Sequence, residues 1–252
     1  MACVILLADG TRVNSASLIG MVTDAFIIRR GDHVLKAPKL YGFLDGKRTV
    51  QEDDNNSIHL ADLDVEKKVY QRLQGVPGVA DFISCSPNGI LLRYYPNGSL
   101  ANYIKDHGPP SLHTRWAWIL QATDAIKNCH HKDVLVFDIA LRNFVLAGDM
   151  GLRMIDFANS ALSTRDSYDD ISKVDVDGCT VALDILHLGN VIYSVLKWQD
   201  FHIDCAHESE WPALDGLPCM NDVANGHIVR KCWLKGYATV RELQEDLHSC
   251  SV

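Results

Sequence analysis

The chain has 252 residues, 47% of them hydrophobic and 22% charged, with a formal net charge of −8. That length allows one large domain or two lobes, the composition is that of a soluble globular protein, and the acidic balance argues against nucleic acid as a partner, since a phosphate-backbone binder carries a basic stripe. No apolar run approaches the roughly 20 residues that cross a bilayer, and MACVILLADG has no basic residue ahead of its apolar stretch, so neither a membrane partner nor a signal peptide is expected.

In chain order, AFIIRR, Gly31-Asp32 and HVLKAPK predict a hairpin of two strands. VQEDDNNS (50–57) is expected to be a loop. LADLDVEKKVYQRL follows as a helix whose apolar face carries Leu63, Val69, Tyr70 and Leu73. VPGVADFISC and GILLRYY predict a second strand pair, broken at Pro87-Asn88-Gly89. The character changes after YPNGS. SLANYIKDHG predicts a short helix and LHTRWAWILQATDAIKNCHH a long one, and FVLAGDMGLRMIDF predicts two short strands around a turn. TVALDILHLGNVIYSVLKW is apolar on most faces and is expected to be a buried helix. GHIVRKCWLK and TVRELQEDLHSC close the chain as amphipathic segments. The eight cysteines form no CxxC pair, which predicts reduced thiols and a cytoplasmic or nuclear setting. His202, Cys205 and His207 in HIDCAH could be metal ligands, although a structural zinc uses four, and an ordinary polar loop is the simpler reading.

DIALRN (138–143) raises the functional question. A solvated turn would explain its Asp and Asn, which favour turns by bonding their own backbone. The order of parts around it, however, resembles the eukaryotic protein-kinase family over nearly the whole chain. Asp138 and Asn143 have the D-x-x-x-x-N spacing and follow the long helix. Asp156 in MIDFA, thirteen residues after Asn143, matches the magnesium aspartate. Lys36 in HVLK resembles the strand lysine on the α and β phosphates, and Glu66 its helix partner; Glu52 and Asp64 are poorer candidates for that partner. Gly20 in IGMVTDAFI matches the first glycine of the phosphate loop. RYYPNGSL resembles the hinge, where backbone groups of Arg93 and Tyr95 would meet the adenine edge. Asp184 in LDILHLG resembles the helix aspartate that braces the catalytic loop.

The resemblance implies an α+β, bilobal, protein-kinase-like fold. A small strand-rich N-lobe (about 11–95) and a larger helical C-lobe (about 96–252) would form a single domain, 1–252, with no regulatory domain. It implies ATP and Mg²⁺ as cofactors and a protein or peptide substrate as partner. ATP carries adjacent negative charges that Lys36 and magnesium would offset. Magnesium prefers hard oxygen ligands, here Asp156 and the amide oxygen of Asn143. Asp138 would orient an attacking hydroxyl, and Glu66 would hold the flexible lysine stem in place. The overall pattern is similar to that of small stand-alone kinase-like proteins of filamentous fungi.

Several positions depart from the family. Val22 and Ala25 replace the second and third glycines, and a Cβ limits how closely backbone can approach phosphate. Val136-Phe137 replaces His-Arg, so a phosphorylation-dependent loop switch is not expected. Ala158 replaces the glycine after Asp156-Phe157. STRDSYDDISKVDVDG contains no Ala-Pro-Glu, and Tyr237-Ala238-Thr239 stands where the arginine partnering that glutamate is expected. Ala140 and Arg142 are closer to the tyrosine-kinase loop than to the serine/threonine one. Two alternatives therefore stand beside an active phosphotransferase: a pseudokinase that binds or scaffolds, and a small-molecule kinase of the aminoglycoside or choline type.

Overall fold

Alternating apolar positions at residues 25–38 build the first sheet. The computed structural model describes residues 3–43, 54–163, 171–221 and 223–250. Strands β1 (Cys3–Leu6), β2 (Leu18–Met21), β3 (Ala25–Arg30), β4 (His33–Pro38) and β5 (Leu40–Phe43) precede helix α1 (Asp54–Arg72), and β6 (Phe82–Ser86) and β7 (Gly89–Arg93) follow it. Five strands form one antiparallel sheet in the order β2-β3-β4-β7-β6. One face buries Phe26, Ile28, Leu35 and Ala37 together with Leu7. Strands β1 and β5 make a separate antiparallel pair, so ordered sheet begins ahead of residue 11.

Helix α1 starts earlier than the sequence predicted, because Asp54–Ser57 of the expected loop are helical, while residues 50–53 lie outside the described residues. The cause is local. The side chain of Asn56 accepts from the Tyr41 amide at 3.3 Å and donates to the Tyr41 carbonyl at 3.2 Å, so it continues the edge of β5. A buried polar residue with both of its groups paired costs little. The expected apolar face is buried, with Leu63, Val69, Tyr70 and Leu73 all within 2% exposure.

The rest of the chain is mainly helical: α2 (Leu100–Asp106), α3 (Leu112–His130), β8 (Val134–Leu135), β9 (Phe144–Leu146), β10 (Leu152–Met154), β11 (Ala161–Leu162), β12 (Asp175–Val176), β13 (Cys179–Thr180), α4 (Val181–Lys197), α5 (Gly226–Trp233) and α6 (Val240–Ser249). Ser99, Ser111, Thr180 and Thr239 cap α2, α3, α4 and α6 by accepting from a backbone N–H three residues on. Helix α4 is buried nearly all round, as its apolar run predicts, and packs closely on α5: a Cβ at Gly189 would meet Cys232 at 2.8 Å. No helix among the described residues is long and apolar enough to cross a membrane.

The chain divides into two units. Residues 1–75 and 80–94 form the strand-rich one, and residues 76–79 and 95–252 the helical one. The architecture is thus α+β, with strands and helices largely segregated along the chain.

Candidate functional site

In the first unit, Lys36 lies on β4 and Glu66 on α1, and their Nζ and Oε1 atoms are 2.7 Å apart. Leu63, Glu66, Tyr70 and Leu73 recur at helical spacing, so Glu66 sits on the apolar face of its own helix. Both partners are buried, Lys36 at 4% and Glu66 at 1% exposure. Taking two charges out of water costs more than a well-packed apolar pair would, so this pair is a poor stability device and calls for another explanation. The backbone beneath it is tightly supported. Gly89 of β7 has φ +143°, and a Cβ there would collide with the Lys36 carbonyl, so only glycine lets β7 lie this close. Asp64 instead pairs with Lys67 at 2.7 Å on the helix surface, and Glu52 lies outside the described residues.

Gly20 lies within β2, opposite Ile27, in an ordinary strand conformation where a Cβ would find room at 3.5 Å. The Val22 amide donates to the Ala25 carbonyl at 2.9 Å, closing the turn that follows. At the end of β7, the Arg93 amide donates to the Asp81 carbonyl at 3.0 Å and its side chain pairs with Asp81 at 2.7 Å. A contact from Arg93 to a base would therefore fall to its carbonyl. Tyr95, in the second unit, is buried, and its carbonyl accepts from Gly98 at 3.3 Å.

In the second unit, β8 leads into the loop that holds Asp138. Phe137 has φ +65°, and the Asp138 amide donates across it to the Val136 carbonyl at 2.8 Å, a γ-turn of the rare, strained hand. Such a residue persists only where its surroundings over-determine it. Here Asp184 of α4 accepts from the Val136 amide at 2.9 Å and the Phe137 amide at 2.6 Å, and the His187 Nδ1–H donates to the Phe137 carbonyl at 2.5 Å. A third donor, His130 Nε2, lies 2.7 Å from Asp184. Asp184 is fully buried, and these donors replace the water it has lost. Sequence reading named Asp184 but missed His130 and His187. The available signal was His187 itself, a polar residue one turn after Asp184 on a mostly apolar helix.

The loop aims Asp138 between two donors. Arg142 Nη2 lies 2.5 Å from Oδ1, and Asn143 Nδ2 lies 3.1 Å from Oδ2 and 2.9 Å from the Asp138 carbonyl. The β9–β10 ladder pairs Phe144 with Met154, and the Ile155 amide extends it to the Asn143 carbonyl at 2.8 Å. Asn143 and Asp156 are thereby brought to the same end of one hairpin. Asp156 also has a left-handed φ, +64°. Because the Asn143 amide nitrogen is spent on Asp138, its oxygen is turned the other way. An amide oxygen and a carboxylate at one hairpin end suit a hard cation such as Mg²⁺. A carboxylate steadied on both sides, with its side chain still 22% exposed, can accept a hydroxyl proton or orient a hydroxyl.

His202, Cys205 and His207 do not gather as metal ligands; the Cys205 thiol instead lies 3.3 Å from the His207 carbonyl. Residues 164–170 of the segment after Asp156 lie outside the described residues. Where the brace arginine was expected, the Tyr237 hydroxyl donates to Asp246 at 2.7 Å and Lys231 pairs with the same carboxylate at 3.0 Å.

No protein-family model matches the chain. Part of it is similar to the serine/threonine-protein kinase PKH2 of Saccharomyces cerevisiae, 28% identical over 117 residues, which is 45% of this chain and 11% of that protein. Another similarity is to the mitosis inducer protein kinase cdr1 of Schizosaccharomyces pombe, 29% identical over 79 residues, 31% of this chain and 13% of that protein. The chain thus spans only a small fraction of the length of the curated relatives it matches. These partial similarities suggest a kinase-like relation.

Proposed function

We propose that the chain is a bilobal, protein-kinase-like ATP phosphotransferase acting on hydroxyl side chains. The observation that carries this reading is the Asp138 carboxylate, steadied by Arg142 and Asn143 on a loop that Asp184 clamps. Asp138 orients the acceptor hydroxyl and takes up its proton as transfer proceeds. Lys36, held by Glu66, offsets charge on the α and β phosphates. Asn143 and Asp156 hold magnesium, which when bound neutralises charge developing on the transferred phosphoryl group. Gly20 and the backbone of Arg93 and Tyr95 belong to the nucleotide subsite. The partner is a protein or peptide substrate, and the setting is cytoplasmic. The partial kinase similarities support the same reading.

A second reading, a pseudokinase, is favoured by one observation. The Val22 amide is engaged with Ala25, and Gly20 sits in a plain strand, so the turn after β2 offers phosphate less than a glycine-rich loop would. Thermal-shift titration with ATP and Mg²⁺, followed by an autophosphorylation assay, separates the two. Magnesium-dependent stabilisation with phosphoryl transfer is expected. Stabilisation without transfer to any acceptor, or no response to nucleotide at all, contradicts the phosphotransferase and selects the pseudokinase.

A further inference from the structure

Three side chains of the first unit that play no part in the proposed reaction converge at the start of α1. Asp24 comes from the turn between β2 and β3, and His59 and Asp62 from α1; their ligand atoms all lie within 4.8 Å of one another. His59 and Asp62 are three residues apart and so share a helix face. Asp24 is fixed from behind, since its carbonyl accepts from the Lys39 amide at 3.0 Å. The ring nitrogen Nδ1 of His59 is shielded from solvent and has no hydrogen-bond partner, although Asp24 Oδ1 is 3.1 Å away. Among the described residues, no Lys or Arg forms an ion pair with Asp24 or Asp62. Two carboxylates and a shielded imidazole nitrogen that makes no hydrogen bond thus lie within 4.8 Å of one another, with no Lys or Arg paired to the carboxylates among the described residues.

We infer that Asp24, His59 and Asp62 form a binding site for a divalent transition metal, with zinc the best match. One imidazole nitrogen and two carboxylate oxygens suit a borderline ion, whereas calcium and magnesium favour all-oxygen sets. Bonds of about 2.0–2.2 Å around a tetrahedral ion put its ligand atoms roughly 3.4 Å apart. The present separations, all within 4.8 Å, are at most about 1.4 Å wider than that. Three protein ligands leave a fourth position for water. The ion would pin the β2–β3 turn to α1 two helical turns ahead of Glu66, and would give the shielded His59 Nδ1 a bond in place of the hydrogen bond it does not make. The site shares no residue with the proposed phosphotransfer set, so each stands or falls separately.

The test uses chelator-stripped protein without nucleotide. Zn²⁺ is titrated calorimetrically and Co²⁺ by visible absorption, for the parent and for His59→Gln and Asp62→Asn, with circular dichroism as the fold control. One equivalent should bind the parent, with affinity at least about 10-fold weaker in each variant. Co²⁺ should also broaden the His59 imidazole resonances in the parent, a readout that needs no variant to fold. Unchanged affinity in both variants, or unbroadened His59 resonances at saturating Co²⁺, overturns the assignment by locating any binding among the other histidines and cysteines.

Discussion

The Asp184 carboxylate lies 2.6 Å from the backbone nitrogen of Phe137, and it is this contact that holds a left-handed phenylalanine one residue before Asp138. Replacing Asp184 by Ala strands two buried donors, on Val136 and His130, and a part-buried one on Phe137, and releases the γ-turn. The expected cost is about 3 kcal/mol or more. Asp184→Asn, which keeps an acceptor, should lose less. Urea unfolding midpoints at constant m-value measure both, and an Asp184→Ala loss within about 0.5 kcal/mol would refute the clamp.

Lys36 and Glu66 make the second prediction. Glu66→Leu and Lys36→Met should each destabilise, because each takes a charged partner from a buried group. The double variant should be more stable than the two losses summed, by about 1–3 kcal/mol, since it leaves neither buried charge behind. Mg-ATP binding should not recover with it. Strict additivity of the unfolding free energies would show that the pair is not energetically coupled.

Acid titration tests the contact that stands where the sequence lacks its expected arginine. The Tyr237 hydroxyl, and then Lys231, hold the Asp246 carboxyl below its ordinary value of 3.8. A group lowered in the folded state adds stability above its unfolded value and loses it as pH falls through the folded value. Asp246→Asn should therefore be less stable than the parent by a constant margin above about pH 5. The two melting curves should converge as pH drops below 4. A margin unchanged down to pH 2 would contradict the assignment.

Much of this was legible because it is local. The β3–β4 hairpin, the apolar face of α1 and the buried α4 each follow from periodicity within one segment. The β1–β5 pair was missed because its strands are far apart in sequence and each is only four residues long. Asn55–Ser57 looked like loop because Asn is a weak helix former, and only the edge of β5 shows why Asn56 is worth burying. At the site, the Lys36–Glu66 pairing followed from resemblance, which carries long-range information that spacing alone does not. His187 stands out locally beside Asp184, but its role and that of His130 depend on partners some 50 residues away in sequence. Gly20 matches the motif by position alone, and its strand geometry shows no need for glycine.

The most direct test is phosphoryl transfer measured against magnesium concentration for the parent, Asp138→Asn and Asn143→Ala. Asp138 orients the acceptor, so its variant should lose orders of magnitude in rate at nearly unchanged ATP affinity. Asn143 shares the metal with Asp156, so its variant should need more magnesium as well as being slower. Arg142, whose exposed ion pair with Asp138 adds about 0–1 kcal/mol to stability, provides a control that can change rate without changing fold. Distinct magnesium curves for the two variants are the predicted result. Superimposable curves for all three proteins, or a parent that transfers phosphate to no acceptor, would contradict the phosphotransferase account.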